Sequence, residues 1–386
     1  MRMKSITVSN FKSLVDFKLE LANFTCLIGL NGSGKSTVLQ FIDFLAQQTR
    51  GDLDGWLKER DWRSKDLTSK LSTRKSIEFE VELVTDGGAG GVRWKGVYNA
   101  LQRYCSAEKL DTPGAALEVK DGHLRITDAT KERDRVVLDE RISFSYQGSV
   151  LSQLKQETLP RSLLEFRDCL SGIRSLDLLS PHALRQRTRQ ADGWMGLGGQ
   201  RFSAFLHEMG KAKREQLTEE LKKAYRQLEH LNARSLRSGW KQLEIEERFG
   251  DKALITEARH INDGMLRLMA ILAEAQGPRR FLLFDEIENG INPELVEFVI
   301  TTLVSNIRQV LVTTHSPMIL NYLTDEVAKS GVVYLYKTTE GSTRAVPFFS
   351  IPSLARKLEV MGPGEAFVDT NLTLLAEEIS GMAGGC

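Results

Sequence analysis

Gly29-Leu30-Asn31-Gly32-Ser33-Gly34-Lys35-Ser36 reads G-x-x-x-x-G-K-S, and residues of those types at that spacing suit the holding of a polyphosphate. The three glycines let the backbone curl so that successive N–H groups point at phosphate oxygens. Lys35 supplies a point charge for the outer phosphates, and the Ser36 hydroxyl can ligate the magnesium that travels with a nucleoside triphosphate. Asn31, Gly32, Ser33, Gly34, Lys35, Ser36 and Thr37 are therefore the candidate phosphate contacts. A second group of reactive side chains begins 250 positions after Lys35. There the apolar run Phe281-Leu282-Leu283-Phe284 ends in Asp285-Glu286. Asp285 is the candidate to hold magnesium, directly or through water, and Glu286 to orient and polarise an attacking water. The run Gln309-Val310-Leu311-Val312-Thr313-Thr314 ends in His315, thirty residues after Asp285, a candidate contact for a γ-phosphate. ATP and Mg2+ are the implied cofactors.

Each group needs particular elements to hold it. Phe24 to Ile28 is apolar and β-prone, and Ser36 to Ile42 has helical spacing, so phosphates would meet a helix N-terminus. Phe281–Phe284 and Gln309–Thr313 read as buried parallel strands whose C-terminal edges deliver side chains to a crevice. Ahead of the loop, Ile6 to Leu14 and Val15 to Leu21 alternate as two short strands. Gly51 to Arg74 reads as irregular. Ile77–Val84 and Val92–Tyr98 form a hairpin around the glycine-rich Asp86–Gly91, and Leu117–Ile126 forms a second around Asp121-Gly122. From about Leu151 the pattern turns helical. Leu217, Leu221, Tyr225, Leu228 and Leu231 recur at spacings of three and four, as in a packed amphipathic helix or helical hairpin. Leu243–Phe249 and Ala253–Thr256 return to strand-like alternation. A strand at Val332–Tyr336 precedes a tail marked by Pro347, Pro352 and Pro363. These shifts divide the chain into 1–150, a lobe with the loop and an antiparallel β subdomain; 151–242, a helical insertion; 243–350, a second lobe; and 351–386, a tail.

With 386 residues, 41% hydrophobic and 27% charged, the composition is that of an ordinary globular protein. The net charge of +1 says nothing about nucleic acid, so any basic surface must be local. One region stands out. Between Arg161 and Lys241 there are 16 basic and nine acidic residues, an excess of seven. That excess fits either a solvated helix face with i,i+4 partners or a surface that tracks nucleic-acid phosphates. Cys26, Cys105, Cys169 and Cys386 are scattered without metal spacing, which reads as reduced thiols. No apolar run reaches about 18 residues and the N-terminus has no apolar signal segment, so we expect a cytoplasmic protein with no membrane partner.

Taken in order, the phosphate loop, the Asp285-Glu286 strand, Glu288-Asn289-Gly290-Ile291-Asn292-Pro293 and Thr313-Thr314-His315-Ser316-Pro317 resemble the ABC-type ATPase heads. The likeness is greatest to the RecF/SMC-like branch, which includes the ATPase halves of OLD-family nucleases and of many bacterial phage-defence systems. Asn10-Phe11-Lys12-Ser13-Leu14 resembles that branch's first strand and turn. The specific motifs fall within about residues 1–45 and 255–325. The resemblance implies an α/β fold: an ABC ATPase head with a P-loop core sheet, an antiparallel β subdomain and a helical insertion.

It also implies a homodimer on ATP binding, in which a signature segment of one head caps the other's γ-phosphate. Leu197-Gly198-Gly199-Gln200 looks like the transporter version. Asn262-Asp263-Gly264-Met265 is similar to the RecF-like version and lies 22 residues before Asp285, against 86 for Gly199. The expected place is a helix start shortly before the Asp-Glu strand, which selects Asn262, Asp263 and Gly264. Asn262 stands where the family usually has serine, and its longer amide leaves the turnover rate open. Ile287 and Asn292 replace the usual proline and histidine. For the glutamine that senses magnesium, Gln147 is the candidate, after an expected strand Ile142–Tyr146, with Gln153 and Gln156 as rivals. The resemblance implies an ATPase (ATP to ADP and phosphate) that gates duplex DNA binding or a separately encoded effector protein such as a nuclease, in phage defence or DNA repair. The alternative is a nucleotide-gated scaffold with negligible turnover that restrains a toxic effector. The 250 positions between Lys35 and Asp285 argue against a transporter cassette. The stretch after His315 has no D-x-D pair for an intrinsic nuclease, so none is expected.

Overall fold

The structure is a computed structural model that describes residues 1–87, 90–129, 135–176, 179–372, 374–375 and 378–379. Gly88 and Ala89 of the expected glycine loop, and Cys386, lie outside the described residues. The chain divides into two units. One comprises Met1–Arg174, Lys329–Glu359 and the described part of 370–386; the other comprises Ser175–Ala328 and Val360–Asp369.

The first unit is dominated by an eight-stranded antiparallel sheet. Its order is Phe17–Glu20, Arg2–Ser9, Ser76–Val84, Gly91–Asn99, Tyr104–Thr112, Ala115–Lys120, His123–Asp128 and Arg135–Arg141. The period-two pattern explains it. Ile77, Phe79, Val81 and Leu83 are buried while the glutamates between them face outward, as a one-sided sheet requires. On the outer face, Glu80 pairs with Lys95 at 3.1 Å. On the inner face, Trp94 packs edge-on against Phe79 and against Phe166 of the helix Arg161–Ser171. Glu108 is buried with them and accepts hydrogen bonds from Trp94 Nε1 at 2.8 Å, from Val150 N at 3.1 Å and from the Ser149 hydroxyl. Burial pushes its pKa up against the pull of those donors.

Three further strands in this unit flank the phosphate loop. Phe24–Ile28 is wholly buried and runs parallel to Val332–Lys337, which pairs antiparallel with Thr343–Pro347. The helix Lys35–Arg50 follows the loop and ends at Gly51, a left-handed residue. Phe41 and Phe44 of this helix pack with Phe11, Trp56 and Tyr98. The stretch read as irregular contains the short helix Leu53–Glu59, started by Asp52, whose carboxylate accepts from Gly55 N at 3.0 Å. The strand expected over Ile142–Tyr146 does not form. The ladder ends at Arg141, and Gly148 instead bridges Tyr104.

In the second unit, Phe281–Phe284 and Gln309–Thr313 are adjacent, parallel and fully buried. Helices Asp263–Ala275 and Pro293–Val304 belong to the same unit. A three-stranded sheet, Leu228–Ser235, Lys241–Phe249 and Lys252–Glu257, completes it with helix Lys211–Lys222. The leucine repeat is therefore not one helix. Leu217 and Leu221 are on the helix, whereas Leu228 and Leu231 are buried on a strand. A register shift between Leu228 and His230 places an extra residue in that strand, so two leucines three apart face the same side and imitate helical spacing. No helix among the described residues is long and apolar enough to cross a membrane.

Candidate functional site

The phosphate loop is shaped by its glycines and by what lies beneath them. Gly29, Gly32 and Gly34 have φ of 148°, 78° and 109°. A Cβ on Gly34 would stand 2.4 Å from Thr343 Oγ1, so only glycine fits there. Thr343 is the loop's support. Its hydroxyl donates to Ser33 O at 2.9 Å, accepts from Lys337 Nζ at 3.1 Å and lies 2.9 Å from the Ser13 hydroxyl. This gives the Asn10–Leu14 turn a physical role, because Ser13 O also accepts from Thr343 N. Burial pushes the Lys337 ammonium down from its ordinary pKa.

The loop fits a polyphosphate. Lys35 is buried, with Nζ 2.8 Å from Gly29 O and 3.2 Å from Leu30 O. Ser33 Oγ is buried without a hydrogen-bond partner among the described residues. A buried cation and an orphan hydroxyl beside left-handed glycines are what an anion would satisfy. Asn31 and Gly32 are exposed at the rim, and Ser36 and Thr37 are half-buried in the first helical turn, where N–H groups have no intrahelical partner.

The carboxylates of the second unit are fixed by the neighbouring strand. Thr313 Oγ1 donates to Asp285 Oδ1 at 2.5 Å and accepts from Glu286 N at 2.8 Å. Glu286 has φ of 46°, a left-handed conformation that costs a non-glycine residue energy and persists only where neighbours enforce it. Its Oε2 accepts from Asn289 Nδ2 at 3.2 Å, and its Oε1 lies 3.9 Å from His315 Nε2. Asp285, Glu286 and His315 thus share one strand edge. Two side chains that position this group had no role assigned from the sequence, Thr313 and Glu288. Glu288 Oε1 accepts from the Thr314 hydroxyl at 2.9 Å, His315 N at 3.0 Å and Ser316 N at 3.2 Å. It holds the histidine turn, and the signal available was its place two residues after Glu286.

The signature segment starts the helix Asp263–Ala275. Asn262 is its N-cap, with Oδ1 accepting from Met265 N at 2.8 Å. Asparagine and serine are both strong caps, which accounts for the exchange locally; the rest of Asn262 is exposed. Arg185 reaches Ile261 O at 2.7 Å and the Asp263 carboxylate. Arg267 donates to Asn289 O at 2.7 Å, tying this helix to the segment after Glu286. Burial lowers the Arg267 pKa while Asp263 and Glu286 oppose the shift. Gly264 stands beside Gly290 O. The rival Leu197–Gln200 closes on itself instead, with Gly198 N donating to the Gln200 side chain at 3.1 Å.

Gln147 is not brought to the loop. Its amide donates to Asp54 at 2.8 Å, and Ser149 N beside it donates to Gln48 O. It therefore sits at the Gly51 end of the 16-residue helix, about 24 Å from the loop end at 1.5 Å per residue. Gln153 also lies against Gly51. The assignment of Gln147 to magnesium is corrected accordingly. Among the described residues no group of three or more acidic, histidine or cysteine side chains is placed to hold a metal ion.

Residues 117–321, more than half of the chain, match the family described as "AAA domain, putative AbiEii toxin, Type IV TA system", and residues 1–136 match "AAA ATPase domain". The OLD nuclease of Thermus scotoductus (strain ATCC 700910 / SA-01) is 28% identical over 200 residues, which cover 48% of this chain and 36% of that protein. The chain thus matches about a third of the length of that curated relative. Among solved structures, an Smc head bound to the C-winged helix domain of ScpA aligns with a TM-score of 0.56 at 16% identity, covering 90% of this chain and 97% of the other. An Smc head with an extended coiled coil, bound to the C-terminal domain of ScpA derived from Pyrococcus furiosus, aligns at 0.55 and 14%, covering 89% and 96%. At such identities these likenesses establish the fold. Phosphate loop, carboxylate strand and sequence match agree: the chain belongs to the AAA-domain family of the first description, and its fold is that of the Smc heads.

Proposed function

We propose that the chain binds and hydrolyses Mg-ATP, and that pairing of two copies around ATP gates DNA binding or a separate effector protein in phage defence or DNA repair. The observation that carries hydrolysis is Glu286. An intact carboxylate is held in a costly backbone conformation by Thr313 and Asn289, 3.9 Å from His315, and a mere binding site would not need it. Ser36 and Asp285 are the metal-ligating candidates. Bound magnesium would neutralise phosphate charge. Lys35 and the loop amides from Asn31 to Thr37 would stabilise charge on the transferring phosphoryl group. Glu286 would orient water, and His315 would contact the γ-phosphate. The exposed start of the Asp263–Ala275 helix, with Asn262, Asp263 and Gly264, suits a partner copy's phosphate. The nuclease activity in the relative's name is assigned to a separate polypeptide, and metal-dependent DNA cleavage by the purified chain would overturn that assignment.

Steady-state ATP hydrolysis tests the reading, with Lys35→Ala as the control. Glu286→Gln should lower turnover by about 10²-fold or more and accumulate an ATP-bound dimer on light scattering. The second reading, a scaffold with negligible turnover, rests on Asn262, a longer side chain than the serine usual in the family this segment resembles. On that reading Glu286→Gln changes neither the already negligible turnover nor signalling.

A further inference from the structure

The hairpin joining Leu228–Ser235 to Lys241–Phe249 ends in an exposed tip, Leu236-Arg237-Ser238-Gly239-Trp240. Ser238 and Gly239 have φ of 63° and 80°, and Leu236 N donates to Trp240 O at 2.7 Å. This bend leaves Trp240 41% exposed. The Arg189 guanidinium lies 5.0 Å from the Trp240 ring centroid. Arg189 is delivered by an extended segment whose Thr188 O accepts from Lys241 N at 2.8 Å. Arg189 is thus the cation that meets the ring, Arg237 lies in the exposed tip itself, and Arg187, Arg234 and Lys241 lie on the segments that flank it, Lys241 Nζ donating to Ser235 Oγ at 2.7 Å. Glu257 partly offsets the group, 3.5 Å from Arg187. Neither contributing stretch supplies an acid: none occurs between Asp177 and Asp192, nor between Glu229 and Glu244.

One arginine would suffice to brace the hairpin against Trp240. The remaining like charges repel one another unless a polyanion neutralises them. A part-exposed tryptophan with an arginine beside it suits an unpaired base, whose π-face stacks while its phosphates meet the arginines. A duplex keeps its base faces covered and offers only phosphates. We propose that this corner binds single-stranded nucleic acid, with a base on Trp240 and phosphates on Arg189, Arg237 and Lys241. The inference rests on the DNA-gating reading above and names its contact surface and strand form.

The test is fluorescence anisotropy of the full chain with a labelled oligothymidylate and with a matching duplex, across a salt series. Trp240→Ala should weaken the oligothymidylate by about tenfold and leave the duplex nearly unchanged, with Trp240→Phe recovering most of the loss. Arg189→Ala with Arg237→Ala should weaken both and reduce the slope against log salt by about two. All three variants should retain Lys35-dependent ATP turnover without DNA. Equal affinity of Trp240→Ala and the parent for oligothymidylate would overturn the proposal. So would a polyglutamate peptide that competes as well as the oligonucleotide, which would assign the corner to an acidic protein. If the parent hydrolyses ATP yet binds neither nucleic acid, this surface fails and the ATPase reading stands. Trp240-dependent binding without ATP turnover would give the opposite result.

Discussion

Glu288 shows how much of this site is made by single side chains whose contacts no motif announces. Its Oε1 gathers three donors from the histidine turn, while Oε2 is buried without a partner among the described residues. Glu288→Ala removes that acceptor and should lower kcat for ATP by about tenfold, the scale of one lost charge-assisted hydrogen bond. KM and the circular dichroism spectrum should barely move, because the loop that grips the nucleotide is untouched. That Asp285, Glu286 and His315 would meet at strand ends was legible because they follow two apolar runs. Thr313 and Glu288 were not, because their roles exist only once two strands lie side by side. Gln147 misled for the opposite reason: it follows an apolar stretch, yet its partner proves to be Asp54. Glu108 gives a pH prediction. Its folded pKa is raised by burial, so the native state holds its proton more tightly than the unfolded chain does. Stability from this group is therefore present at low pH and falls as pH rises above the unfolded value of about 4.5. Thermal melts of Glu108→Gln between acid and neutral pH should lack that component relative to the parent.

At the scale of elements, the loop depends on a strand that no phosphate-loop motif mentions. Thr343, at the start of Thr343–Pro347, fills the space a side chain at Gly34 would need. Gly34→Ala combines that clash with a φ of 109° and should abolish measurable ATP binding by calorimetry while the antiparallel sheet still folds. Strands and hairpins around the loop were readable from alternation, since one-sided burial imposes a period of two. The leucine series was misread because the extra residue in Leu228–Ser235 converts a strand's spacing into a helix's. A bulge is set by pairing with Lys241–Phe249, and pairing is not written in a single strand.

For the whole molecule, near-neutrality conceals an uneven charge distribution. The chain carries a net +1, yet Arg161–Lys241 alone carries an excess of seven basic residues. If that region contacts DNA, as proposed, stimulation of ATP turnover by DNA should fall steeply between low and physiological salt, whereas basal turnover should change little. The head fold was legible from motif order, because the loop, the carboxylate strand and the histidine strand each have short local signatures. The two-unit division was not, because its break at Arg174 and the return of Lys329–Glu359 to the first unit are products of tertiary packing.

That return has a consequence for how the protein comes into being. Cys26 pairs with Val332, so the strand that launches the phosphate loop waits for a partner made more than 300 residues later. At ribosomal speeds of about 5–20 residues per second the wait is roughly 15 to 60 seconds. Throughout it Phe24–Ile28 is an apolar edge with no neighbour from Val332–Lys337, the kind of segment that chaperones shield and aggregates recruit. A nascent chain stopped at Ala328 also lacks Thr343 and should not retain ATP, however complete its motifs. The ability to bind nucleotide is thus conferred only once Val332–Lys337 and Thr343–Pro347 have been made, and an abortive product carrying both sequence signatures stays inert.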